Sequence, residues 1–301
     1  MKNKWIDVFF MILAVPFIFL ASLIIFFLKY RNARELKTGT GKRTYLIHVP
    51  AGYPSEKPMP LVISIHGFVQ WPDNQKDMTH WNDLADEEGF IVVYPTGSGF
   101  PLRWRTLGRD GQVASSIPDV VFISDLIDHI RSTHNIDPKR IYVNGMSNGG
   151  AMSFVLACAL SDRIAAFASV AGDYQTMPDK CHFTRPVPAI IFHGVEDLLV
   201  PYHGRKNFVI YHSFFDVPGW VQRLAKVYGC TDSPELVEDN EKVRAVKYGN
   251  GSVDVVFYSL ENGGHTWPGG KPLPGWIAGD TEPGVDATRI MWEFFSQHPL
   301  T

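Results

Sequence analysis

Residues 8–28 form an unbroken apolar run of 21 residues without a formal charge. At helical rise such a run spans roughly 31 Å, about the hydrocarbon thickness of a bilayer. Pro16 and Ser22 are tolerable inside such a helix, and it has no polar face. The pattern predicts a single membrane span at 8–28, with residues 1–28 as an anchor. A cleaved signal peptide is the rival, since Lys2 and Lys4 supply a positive start. The run is longer than a usual signal core, however, and no small-x-small site closes it. Residues 29–42 are polar and basic and read as a juxtamembrane linker. The folded domain is expected over 43–301.

From residue 44 onward the pattern alternates between short β-rich runs and longer helical ones. Residues 44–50 and 61–65 are strand-like on either side of a Pro-rich turn, and read as an antiparallel hairpin entering a sheet. Further strands are expected at 90–94, 140–143, 165–171, 188–192 and 253–260. Helices are expected at 77–88, 118–134, 148–160, 215–228 and 286–298. Nearly continuous apolar strands interleaved with helices predict an α/β fold, a mostly parallel central sheet with helices on both faces.

Composition changes this picture little. Apolar residues make up 45% of the 301 and charged ones 20%, an ordinary globular balance. The net charge of −3 suggests no nucleic-acid partner. No Walker motif, dinucleotide glycine pattern or clustered Cys/His set is present, so neither cofactor nor metal is expected.

The chemistry lies in Gly145-Met146-Ser147-Asn148-Gly149, after the β-branched run 140–143 and before a small-residue helix. A strand turning this tightly into a helix strains the serine and exposes its hydroxyl, which is the nucleophile elbow of an α/β-hydrolase. Ser147 is therefore the candidate nucleophile. In that fold the acid and then the base follow in chain order. Asp197, in the turn past 188–192, is the candidate acid, with Glu196 and Asp173 as rivals. Of the later histidines His203, His212, His265 and His298, only His265 sits in a Gly-rich loop between a strand and the last helix. The strand 61–65 ends in His66-Gly67-Phe68, where the backbone N–H of Phe68 would join that of Asn148 as an oxyanion hole. An ordinary strand-end turn is the other reading there, and His66 is read as a turn-stabilising residue rather than a base. Trp104, in the long loop 96–117, and Trp267 are candidate walls for the substrate; Trp104 equally suits a packed loop anchor.

With these residues in view, the runs HGFVQ, WNDLADEEGFIVVYP, IDPKRIYVNGMSNGGAM, IFHGVEDLLVPYHG and GGHTWPGG make residues 44–298 resemble the polyhydroxybutyrate depolymerase/feruloyl esterase family of α/β-hydrolases. The resemblance implies Ser147, Asp197 and His265 as the triad of a serine carboxylic-ester hydrolase, and a Cys181–Cys230 disulfide; Cys158, in the helix after the nucleophile, reads as a buried free thiol. Polymer-degrading members carry an added binding domain not read here, so small or oligomeric esters (hydroxyalkanoate, feruloyl or acyl-sugar) are the expected substrates. Phe68 departs from the small or sulfur-bearing residue common at its position, which implies a narrower site. A serine peptidase or acyltransferase on the same fold is the alternative, and a catalytically silent binding module a further one. Membrane orientation is contested. Lys29, Arg31, Arg34 and Lys37 outnumber Lys2 and Lys4 and point the domain inward, whereas a disulfide points it to an oxidising compartment. The exoplasmic side is the expectation.

Overall fold

The computed structural model describes residues 33–53, 56–106, 114–207, 212–272 and 274–301. The span expected at 8–28 lies outside the described residues; among these, no helix is long and apolar enough to cross a membrane. The strands are β1 (Arg34–Thr38), β2 (Gly41–His48), β3 (Met59–Ile65), β4 (Ile91–Pro95), β5 (Ile136–Met146), β6 (Ala166–Val170), β7 (Ala189–Gly194), β8 (His203–Asn207), β9 (His212–Asp216), β10 (Glu235–Asp239), β11 (Val243–Gly249) and β12 (Asp254–Leu260). The helices are α1 (Pro72–Thr79), α2 (Trp81–Glu88), α3 (Pro118–Thr133), α4 (Asn148–Ala159), α5 (Val217–Val227), α6 (Gly275–Ala278) and α7 (Ala287–Gln297).

Ten strands form one sheet in the order β1-β2-β4-β3-β5-β6-β7-β12-β11-β10. The middle six run parallel, and antiparallel pairs close each edge. This is an α/β-hydrolase-like fold with a large, mostly parallel sheet. Strand alternation explains why the middle strands read as continuous apolar runs: both faces are covered. Leu61, Ile63, Ile141, Val143, Ile191 and Phe257 face a core shared with α3, α4 and α5. Val62, Tyr142, Ile190, Phe192 and Tyr258 face the other core, with α2 and α7.

Four expectations are corrected. Strand β2 pairs antiparallel with β4, not β3, because β3 is parallel to β4 and β5 and lies one strand further in. Residues 34–38 and 41–42, read as linker, belong to an edge hairpin whose register runs from Arg34↔Tyr45 to Thr38↔Gly41. Edge strands are solvated and charged, so composition alone cannot tell them from a spacer. The helix expected at 77–88 starts earlier, at Pro72, and breaks at His80, whose φ of 55° ends α1 and starts α2. Finally, Cys181 is bonded to Cys158, near the end of α4, with Cα atoms 5.8 Å apart; Cys230 is the free, buried cysteine. Cys230 is instead held at the entry to β12, its Sγ 3.9 Å from Val253 O. The strands β8 to β11 were not expected from the pattern; β10, exposed throughout, has no buried face to mark it.

Candidate active site

Ser147 stands between β5 and α4 with φ 56° and ψ −120°, a conformation that L residues adopt only under constraint. Its N–H donates to Val170 O at 2.8 Å, and its carbonyl accepts from Ala151 N and Asp173 N. The glycines of the motif answer to close approach. A Cβ on Gly149 would sit 2.2 Å from Ile65 O, and one on Gly145 2.4 Å from Gly149 O.

The end of β7 and the loop after β12 meet backbone to backbone. Val195 N donates to Leu260 O and Glu196 N to Gly263 O, at 2.9 and 3.0 Å. That contact brings together residues 68 positions apart: His265 Nδ1 lies 2.8 Å from Asp197 Oδ2, with both side chains buried. The other carboxylate oxygen accepts from Leu199 N at 2.9 Å and Val200 N at 2.8 Å. The rival acids stand differently. Glu196 is exposed, and the Asp173 carboxylate accepts from Gln175 Nε2 at 3.3 Å. Of the rival bases, His203 is exposed beside Asp216, and His298 contacts Phe294 O and Asp254 at the end of α7. His212 lies in β9.

Ser147, Asn148, Phe68, Trp104 and His265 all line one cavity of about 730 Å³. Trp104 is buried, and its Nε1 donates to His66 O at 2.9 Å. Its backbone is clamped by the Asn148 side chain, which accepts from Trp104 N at 2.7 Å and donates to Trp104 O at 3.1 Å. Trp104 is thus both wall and anchor. Trp267 is corrected: it is buried in the core and its Nε1 donates to Thr288 Oγ1 at 2.9 Å, away from the cavity lining.

Several supporting residues were not legible in sequence. His193 is fully buried behind Asp197, its Nε2 2.8 Å from Val200 O and 3.4 Å from Asp197 Oδ2. A carbonyl only accepts, so His193 carries its proton on Nε2; burial pushes its pKa down. Its place immediately before Gly194 was the available signal. Arg43 pairs with buried Asp119 at 2.8 Å, and Asp119 also receives Arg105 N at 2.8 Å, which pins the loop beside the cavity. His66 fills the turn-stabilising role read for it. Its Nδ1 donates to Gly67 O and its Nε2 accepts from Gly97 N, and burial lowers its pKa to about 4.

Comparisons with known proteins agree with this architecture. A family model described as Esterase PHB depolymerase matches residues 43–177, which include the elbow and end before Asp197 and His265. A bifunctional acetylxylan esterase/xylanase of Neocallimastix patriciarum is 36% identical over 178 residues, 59% of this chain and 25% of that protein. Feruloyl esterase B of Piromyces equi is 30% identical over 237 residues, 76% of this chain and 44% of that protein. The chain thus spans a quarter to under half the length of these relatives. Among solved structures, an acetyl xylan esterase from Aspergillus awamori superposes with a TM-score of 0.66 at 16% identity, over 88% of this chain and 98% of that one. Over residues 43–177, therefore, the chain carries the pattern of the Esterase PHB depolymerase family.

Proposed function

We propose that this protein is a serine carboxylic-ester hydrolase acting through Ser147, His265 and Asp197. The observation that carries this reading is the 2.8 Å His265–Asp197 contact, at a cavity shared with a serine in elbow geometry. His265 takes the Ser147 proton as the hydroxyl attacks the ester carbonyl, then returns it to the leaving alcohol. Asp197 holds the proton on Nδ1 and stabilises the imidazolium. Backbone N–H groups of Phe68 and Asn148, fixed before reaction, face the developing oxyanion; removing one such donor typically costs about 3–4 kcal/mol. Water then releases the acyl group by the reverse sequence. The names of the relatives, an acetylxylan esterase and a feruloyl esterase, favour esters with an acetyl or feruloyl acyl group.

A fluorophosphonate probe should label the protein but not Ser147→Ala, and an ester panel should be turned over while matched amides are not. Labelling of Ser147→Ala at the wild-type rate refutes the nucleophile; amide turnover equal to that of esters favours a peptidase. For location, the apolar run 8–28 is proposed as an anchor with the hydrolase on the exoplasmic side, an assignment supported by the Cys158–Cys181 bond. Three free thiols in unreduced protein from its native membrane refute that side.

A further inference from the structure

Trp104 is buried, and Arg103 and Arg105 flank it in the chain. Both arginines are exposed and line the cavity that holds Ser147. Their backbones are fixed. Arg103 exchanges hydrogen bonds of 2.9 and 3.1 Å with Ser98, and Arg105 N donates to buried Asp119. No ion pair to either guanidinium occurs among the described residues, although Arg43, Arg140, Arg163, Arg223 and Arg289 each meet a carboxylate. Among the described lining residues the one carboxylate is Asp173, which accepts from Gln175. Among the described residues the lining is thus net cationic, on a chain whose formal charge is −3. A cleft of one sign within low-dielectric walls concentrates ligands of the opposite sign.

We infer that the site selects esters carrying a carboxylate near the scissile bond, bound by Arg103 and Arg105. A guanidinium presents a planar fork of donors that matches a carboxylate better than a point charge does. The inference rests on the ester-hydrolase reading and names its substrate class. No redox partner or cofactor enters: the ester bond breaks by the same attack, and the second carboxylate stays intact.

The test uses the full-length chain and two matched ester pairs, one for each side of the scissile bond. On the acyl side, 4-nitrophenyl hemiglutarate is compared with 4-nitrophenyl valerate. On the alcohol side, 4-acetoxybenzoate is compared with its methyl ester. The readout is the ratio of kcat/KM, anionic over neutral, which does not depend on the fraction of active enzyme. At low salt at least one pair should favour the anion, by about tenfold for two partly exposed charge pairs, chiefly through KM. The ratio should fall toward one in 0.5 M salt and invert in the Arg103→Glu/Arg105→Glu variant. Turnover of neutral esters with no anionic preference in either pair overturns the inference and leaves the hydrolase reading standing. A ratio unchanged by the double variant likewise overturns it. Absence of turnover on all four esters overturns the hydrolase reading, and this inference with it.

Discussion

Asp197→Asn isolates the contribution of one carboxylate oxygen. In the native site Oδ1 accepts two backbone N–H groups, from Leu199 and Val200, while Oδ2 receives His265 Nδ1 at 2.8 Å. An asparagine must choose. Turning its NH2 toward Leu199 and Val200 would set donor against two donors in a buried turn, at a cost of about 1–3 kcal/mol for each unmade bond. The amide oxygen therefore takes that side, and the NH2 faces His265. Nδ1 then has to accept, so the imidazole carries its proton on Nε2, the nitrogen that must be free to deprotonate Ser147. The expected loss is about 10⁴ in kcat, or about 5 kcal/mol of barrier. The two turn hydrogen bonds survive, so the denaturation midpoint should stay close to that of the wild type. Asp197→Ala offers a contrast: it loses activity and also strands both backbone donors, lowering stability by a few kcal/mol, about 1–3 for each donor. Glu196→Gln, at an exposed position, is the control and should keep near-wild-type turnover. The assay is 4-nitrophenyl acetate hydrolysis alongside urea denaturation. Asp197→Asn activity within tenfold of wild type refutes the assignment of the acid, and a collapse in Glu196→Gln transfers it.

Three further outcomes follow from the geometry. Peptide mapping without reduction should recover Cys158 linked to Cys181 and leave Cys230 alkylatable after denaturation. Breaking the bond by Cys158→Ser should cost about 3 kcal/mol in the loop-entropy model for a separation of 23 residues, and recovery of a 181–230 peptide refutes it. His66 is held neutral, with its pKa lowered to about 4 by burial, so the unfolded chain binds the proton first. Its contribution is fully present above about pH 6.5 and fades as pH falls toward 4, a loss of up to about 3 kcal/mol. The stability gap between wild type and His66→Asn should narrow across that window; a constant gap refutes it. Gly149→Ala drives a Cβ to 2.2 Å from Ile65 O, and should lower stability by about 1–3 kcal/mol or more. A melting temperature unchanged from wild type would mean that the elbow relaxes freely.

What was legible in the sequence is what local spacing encodes. The elbow at Ser147 was legible because its strained backbone needs glycines two residues away on either side, a requirement of neighbouring backbone. The middle strands were found because burial on both faces leaves an unbroken apolar run, and chain order then pointed to Asp197 and His265. Tertiary structure alone decided what depends on which distant surfaces meet. Three cysteines carry no mark of their pairing, and the bond went to the pair that α4 and the 178–181 turn bring within reach. Strands β1, β10 and β11 sit toward the sheet edges, where a solvated face removes the apolar signal. Trp104 and Trp267 look alike in composition, yet one lines the cavity and the other fills the core, because only the first is clamped to Asn148 beside the elbow. The Arg43–Asp119 pair was silent for the same reason, and His193 had only its place before Gly194 to mark it. A buried polar group is specified by its partner, and its partner is specified by the fold.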